Sequence, residues 1–149
     1  MSQNQNQNQE AIREVPTTFE YNGHKFTFDI RDADDAEKYE AAFDEMQISV
    51  EKLPKAGRVA DHIRSICVIY RDFFDAIWGT GAGVKVCGEK DIISVCDDAF
   101  MDFQKKIQIQ SRDISRRKND YGRQFANREQ RRKNKKNRQN GLRIVEAET

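Results

Sequence analysis

Apolar residues change their period along this chain, and each change marks a structural element. From Thr17 to Ile30 they alternate, in the run TTFEYNGHKFTFDI, with Asn22-Gly23 in the middle. Asn-Gly suits the two positive-φ positions of a type I′ turn, whose twist matches that of paired strands. A two-residue loop there pairs Thr18 with Thr27, Phe19 with Phe26, Glu20 with Lys25, and Tyr21 with His24. Phe19, Tyr21, Phe26, Phe28 and Ile30 then share one face. An isolated hairpin is marginal in water, so that aromatic face needs a cover.

Helices follow. The first is predicted to start at Asp32 or Asp34, with Glu37 in capping-box position, and to end before Pro54 and Gly57. Its apolar residues Ala36, Tyr39, Phe43, Met46, Val50 and Leu53 step by three and four, a narrow stripe. The second is predicted from about Arg58 to Trp78. Its apolar positions cover about half the circumference, wider than the ~100° of an ordinary amphipathic helix. Such a helix is central to its bundle or lends one flank to a partner. The third is predicted over Asp91 to Ile107, with Ile92, Ile93, Val95, Cys96, Ala99, Phe100, Phe103 and Ile107 on one broad face. Between them, GTGAGVKVCGEK reads as a pliant connection, with Val84, Val86 and Cys87 tucked onto the core. After Gln110 the hydrophobes thin to Ile114, Tyr121 and Phe125, too sparse for a core-facing stripe, and the segment reads as a frayed helix or solvated coil.

Charge sharpens this division. The 149 residues carry 26 Lys+Arg and 25 Asp+Glu. Residues 1–104 hold 11 basic and 20 acidic side chains, whereas residues 105–143 hold 15 basic and 3 acidic. An acidic body is joined to a basic tail. The opening Gln/Asn tract has nothing to bury and reads as disordered. Three domains result: a leader over 1–16, a compact part over 17–110 and a tail over 111–149. No apolar run approaches the roughly 20 residues that span a bilayer. No secretory signal pattern opens the chain.

Candidate chemistry is thin. GTGAGVK lacks the GxxxxGK[ST] spacing of a phosphate-binding loop and follows a helix rather than a strand. Cys67, Cys87 and Cys96 with His24 and His62 form no zinc-ligand spacing, and the cysteines read as reduced core residues. The acidic pairs Asp34-Asp35, Asp44-Glu45 and Asp97-Asp98 read as solvated helix faces. No catalytic residue, cofactor or metal is expected. The basic tail, by contrast, calls for a counterpart. Arg128, Arg131, Arg132, Lys133, Lys135, Lys136 and Arg138 form the candidate contact, for the chain's own acidic body, that of a second copy, an acidic protein or nucleic acid.

Two stretches carry a family resemblance. FFDAIWGTGAGVKVCGEKDIISVCDDAFMDF and the earlier YNGHKFTFDIRDADDAEKYE resemble small tail-module proteins of tailed bacteriophages and Gram-positive prophages. NREQRR at Asn127 to Arg132 is similar to the ending of such proteins. The first two elements cover about Tyr21 to Phe103; the Gln/Asn leader and the long basic stretch lie outside the shared pattern. The family looks like the tail assembly chaperones, which hold the tape measure protein soluble until tube subunits polymerise around it. The resemblance implies a non-enzymatic protein of the bacterial host cytoplasm, with no catalytic residues to carry over.

The expected fold is α+β: an N-terminal hairpin packed on a three-helix bundle, followed by a basic helical or disordered tail. The expected partner is the phage tape measure protein, engaged through Phe73, Phe74, Ile77 and Trp78. Phe73 and Ile77 are expected to point to the core and Phe74 and Trp78 to border the partner, the alternative being that both pairs are core in a tightly packed bundle. The alternatives are a nucleic-acid-binding accessory protein acting through the basic tail, and a structural tail component retained in the virion.

Overall fold

The computed structural model describes the backbone of residues 14–148 and the side chains of residues 14–135. Of the leader expected to be disordered over 1–16, residues 1–13 lie outside those described, and Pro16 is instead held by the Gln110 amide. Strands β1 (Thr18–Tyr21) and β2 (His24–Thr27) form a two-stranded antiparallel sheet. Its register pairs Thr18 with Thr27, Phe19 with Phe26, Glu20 with Lys25 and Tyr21 with His24. Asn22 and Gly23 sit at φ 53° and 79°, the two positive values a type I′ turn requires. Phe19, Tyr21 and Phe28 are buried, and Phe26 is half-buried.

Helix α1 runs Ala33–Glu51. Of the two predicted starts, Asp32 is the cap: its carboxylate accepts from the backbone N–H of Asp34 at 2.8 Å and of Asp35 at 3.4 Å. Only Ala42 is fully buried, while Tyr39, Phe43 and Met46 lean on the core. One narrow stripe faces inward and the acidic remainder faces water.

Helix α2 (Val59–Trp78) buries Cys67, Ile69, Phe73, Phe74 and Ile77. It packs against α1 on one side and on the other against α3 (Ala82–Cys87). The glycine stretch predicted as a pliant connection is therefore a short helix. Gly81 and Gly88 take φ 95° and 79° at its two ends. Gly83 lies against α2, where a methyl group would overlap the Arg71 carbonyl oxygen and come within 2.6 Å of Arg71 Cα. The Gly83 N–H donates to Asp75 Oδ1 at 2.7 Å. Val86 and Cys87 are buried as expected, but Val84 is exposed.

Arg71 latches the far end of α3. Its Nη2 donates to the carbonyls of Gly88 at 3.0 Å and Lys90 at 2.8 Å, and its Nη1 reaches Asp91 at 2.6 Å. These bonds set the entry of α4.

Helix α4 runs Ile93–Glu148, far beyond the predicted end at Ile107. The chain divides into two compact units between Asp113 and Ile114. Within the first unit α4 buries Cys96, Ala99, Phe103, Ile107 and Gln110, a narrower face than predicted, with Ile92, Ile93 and Val95 exposed. Phe103 is the hub. Its ring centroid lies 5.1 Å from that of Phe19, 5.6 Å from Phe73, 5.8 Å from Phe74 and 5.5 Å from Trp78.

Gln110 is fully buried, and both polar atoms of its amide are paired. Oε1 accepts from the Ile30 N–H at 2.9 Å, and Nε2 donates to the carbonyls of Pro16 at 2.7 Å and Phe28 at 2.9 Å. One side chain thus ties both ends of the hairpin to α4, replacing hydrogen bonds the strands lose where pairing stops. Among the described residues the architecture is mostly helical α+β, with one small sheet and four helices.

Candidate functional site

The predicted partner surface is part of the core. Phe73, Phe74 and Ile77 are 2%, 0% and 3% exposed. Trp78 is half-buried, stacked on Phe74 with centroids 5.7 Å apart and on Phe26 at 4.4 Å. Its indole N–H donates to the Thr27 carbonyl at 2.9 Å. The expectation that Phe74 and Trp78 border a partner is therefore corrected. The hairpin needs its aromatic face covered, and the last two turns of α2 supply that cover. The wide apolar face of α2 reflects a central position between other elements of its own chain.

The three cysteines come from α2, α3 and α4, and all are buried. Cys96 neighbours both Cys67 and Cys87. Burial, more than these neighbours, pushes the Cys67 and Cys96 thiols up to about 11; burial raises Cys87 too. Such thiols stay protonated and are poor nucleophiles at neutral pH. The unfolded chain ionises its cysteines near pH 8.5, so the thiols' contribution to stability should be full below that pH. It should then fall as pH rises toward the folded value of about 11. Thermal melts across that window check the sign, and at pH 8 a thiol reagent should label the native chain far more slowly than the urea-unfolded one.

Other polar groups serve the fold. The Tyr21 hydroxyl donates to Asp102 at 2.8 Å and that of Tyr70 to Asp97 at 2.7 Å; burial first, then the carboxylate, raises both phenols. The hydrogen bonds from Arg31 hold Asp29 below the usual carboxylate range. Arg31 also reaches the buried Asp113 at 3.2 Å. Asp35 accepts from the Asp29 N–H, so one member of the Asp34-Asp35 pair braces the strand-to-helix turn. His24 and His62 are exposed. Among the described residues no group of three His, Cys, Asp or Glu is placed to hold a metal ion. No described helix is long and apolar enough to cross a membrane.

The second unit, from Ile114, offers a different surface. Its sequence holds 12 basic and 4 acidic residues, against 14 basic and 21 acidic in residues 1–113. Arg128, Arg131, Arg132, Lys133 and Lys135 are all exposed; the side chains of Lys136 and Arg138 lie outside the described residues. Ile114, Tyr121 and Phe125 are 36%, 63% and 52% exposed. The Tyr121 and Phe125 rings meet edge to face, 4.8 Å apart.

Positions 114, 118, 121, 125 and 128 step by four and three, so at 3.6 residues per turn they share one helix face. That face reads Ile114, Lys118, Tyr121, Phe125, Arg128: an apolar seam bounded by cations. Sequence reasoning set these hydrophobes aside as too sparse. The signal that finds them is the stepping of Phe103, Ile107 and Gln110, which continues in the sequence through Ile114 and Tyr121.

Residues 22–135 match a family of unknown function, DUF6673. No curated protein and no solved structure matches the chain. The matched region starts at the hairpin turn and reaches Lys135, so it takes in most of the basic stretch and the whole exposed seam. On that match the chain belongs to the DUF6673 family.

Proposed function

We propose that this protein is a non-enzymatic phage tail assembly chaperone, which binds the tape measure protein in the bacterial cytoplasm and keeps it soluble during tail assembly. Two things support the reading: the resemblance over Tyr21 to Phe103, and the seam of the second unit. The seam carries it. With Phe73, Phe74, Ile77 and Trp78 spent on the core, Ile114, Tyr121 and Phe125 stand out among the exposed apolar residues because they share one helix face with Lys118 and Arg128 and are open to a client helix. A client with an apolar stripe and acidic flanks fits, its stripe on the rings and its carboxylates beside Lys118 and Arg128.

The magnitudes suit a temporary holder. Burying a large apolar side chain is worth roughly 1.5–3 kcal/mol. Three such side chains, set against the cost of association, leave a weak and reversible complex. A chaperone must release its client to the growing tube, and a tight complex would defeat it.

Coexpression with a phage tape measure protein tests the reading. The client's soluble fraction should rise when this chain is present, and mature particles should lack the chain. Equal solubility with and without it would overturn the proposal.

The exposed Arg128, Arg131, Arg132, Lys133 and Lys135 favour a second reading, a nucleic-acid accessory protein. It predicts duplex affinity that falls steeply with salt and is insensitive to Tyr121 and Phe125.

A further inference from the structure

We infer that the seam of the second unit docks on the α1 helix of a second copy of this chain, so that in the absence of any client the protein associates head to tail. The tail seam places Lys118 and Arg128 at contact positions beside Tyr121 and Phe125. Two such seams facing each other would set cation against cation, in a segment with 12 basic and 4 acidic residues. The seam therefore takes an acidic helix.

The chain carries one. Helix α1 has seven acidic residues and one basic residue in its 19. Its outward face steps by four and three through Glu37, Ala41, Asp44, Ile48 and Glu51, all exposed. Ile48, at 44% exposure, and the small Ala41 give two rings a place to pack. Three carboxylates stand between and beside them. Both seams run over 15 residues, a rise of about 21 Å at 1.5 Å per residue, so they match in length as well as charge.

Tail and α1 are different surfaces, so the contact is heterologous and leaves one free seam at each end of a dimer. Chains or rings follow at higher concentration. This inference goes beyond the chaperone reading and needs no client. Because its assay contains this protein alone, failure here leaves that reading standing, and failure of client solubilisation leaves this one standing.

Sedimentation of the nuclease-treated full-length protein tests it. The wild type should form dimers and larger species that dissociate when salt rises from roughly 50 to 500 mM, as expected for partly exposed charge pairs. Tyr121→Ser/Phe125→Ser should be monomeric, and so should Glu37→Lys/Asp44→Lys/Glu51→Lys. Every substituted side chain is exposed, and unchanged melting temperatures would verify the folds. Mixing the two variants, each with one intact surface, should restore a 1:1 heterodimer and nothing larger. A wild type that stays monomeric at every concentration would overturn the inference. So would self-association surviving in the α1 variant, or mixing that restores nothing. Since the salt dependence is read on the wild type alone, a variant that misfolds does not remove the test.

Discussion

Trp78→Ala should destabilise the protein by about 3–5 kcal/mol, the range for large aromatic truncations in cores. Whole domains are stable by only about 5–15 kcal/mol, so much of the population would unfold on mild heating. The size follows from the neighbours. The indole stacks on Phe26 and Phe74, meets Phe103 edge-on at 5.5 Å, and donates to the Thr27 carbonyl. Removing it opens a cavity under the hairpin and leaves a strand carbonyl without its partner. Urea unfolding measures the loss. A change below about 1 kcal/mol would place Trp78 on the surface, as isolated surface substitutions have small effects.

Gly83→Ala should be as damaging, and its sign is diagnostic. In an ordinary helix interior, alanine stabilises by about 1 kcal/mol relative to glycine. Here the added methyl would meet the Arg71 backbone at the crossing of α3 and α2. Backbone cannot rotate away as a side chain can. Helix α3 would have to lift, breaking the Gly83 N–H bond to Asp75 and the Arg71 latch on Gly88 and Lys90. The cost should exceed the ~1–3 kcal/mol of ordinary overpacking. Thermal melts followed in the near ultraviolet would register it; a stabilised variant would mean that α3 does not sit against α2.

These two sites show where the sequence was legible. Local chemistry could be read directly: Asn22-Gly23 set the hairpin register, Asp32 was one of two foreseen caps, and α2 ends at Trp78 where expected. What depended on distant packing could not. Whether the broad face of α2 met a partner or its own chain turned on the aromatic strands and on Phe103, far away in sequence. The alternating glycines of the connection read as flexibility, but Gly83 is there for close approach and Gly81 for a helix start. Gln110 and Arg71 gave no periodic signal because each acts through hydrogen bonds to carbonyls brought near by folding. The seam at Ile114, Tyr121 and Phe125 was missed for a plainer reason. Apolar residues spaced seven and four apart fall below the density that marks a core helix, although they keep its phase.

The division of labour between a closed body and an exposed seam is tested most directly by Tyr121→Ser/Phe125→Ser coexpressed with a phage tape measure protein. The account predicts that the variant keeps the wild-type melting temperature and loses most of its effect on client solubility. Full client solubilisation by that variant would contradict it.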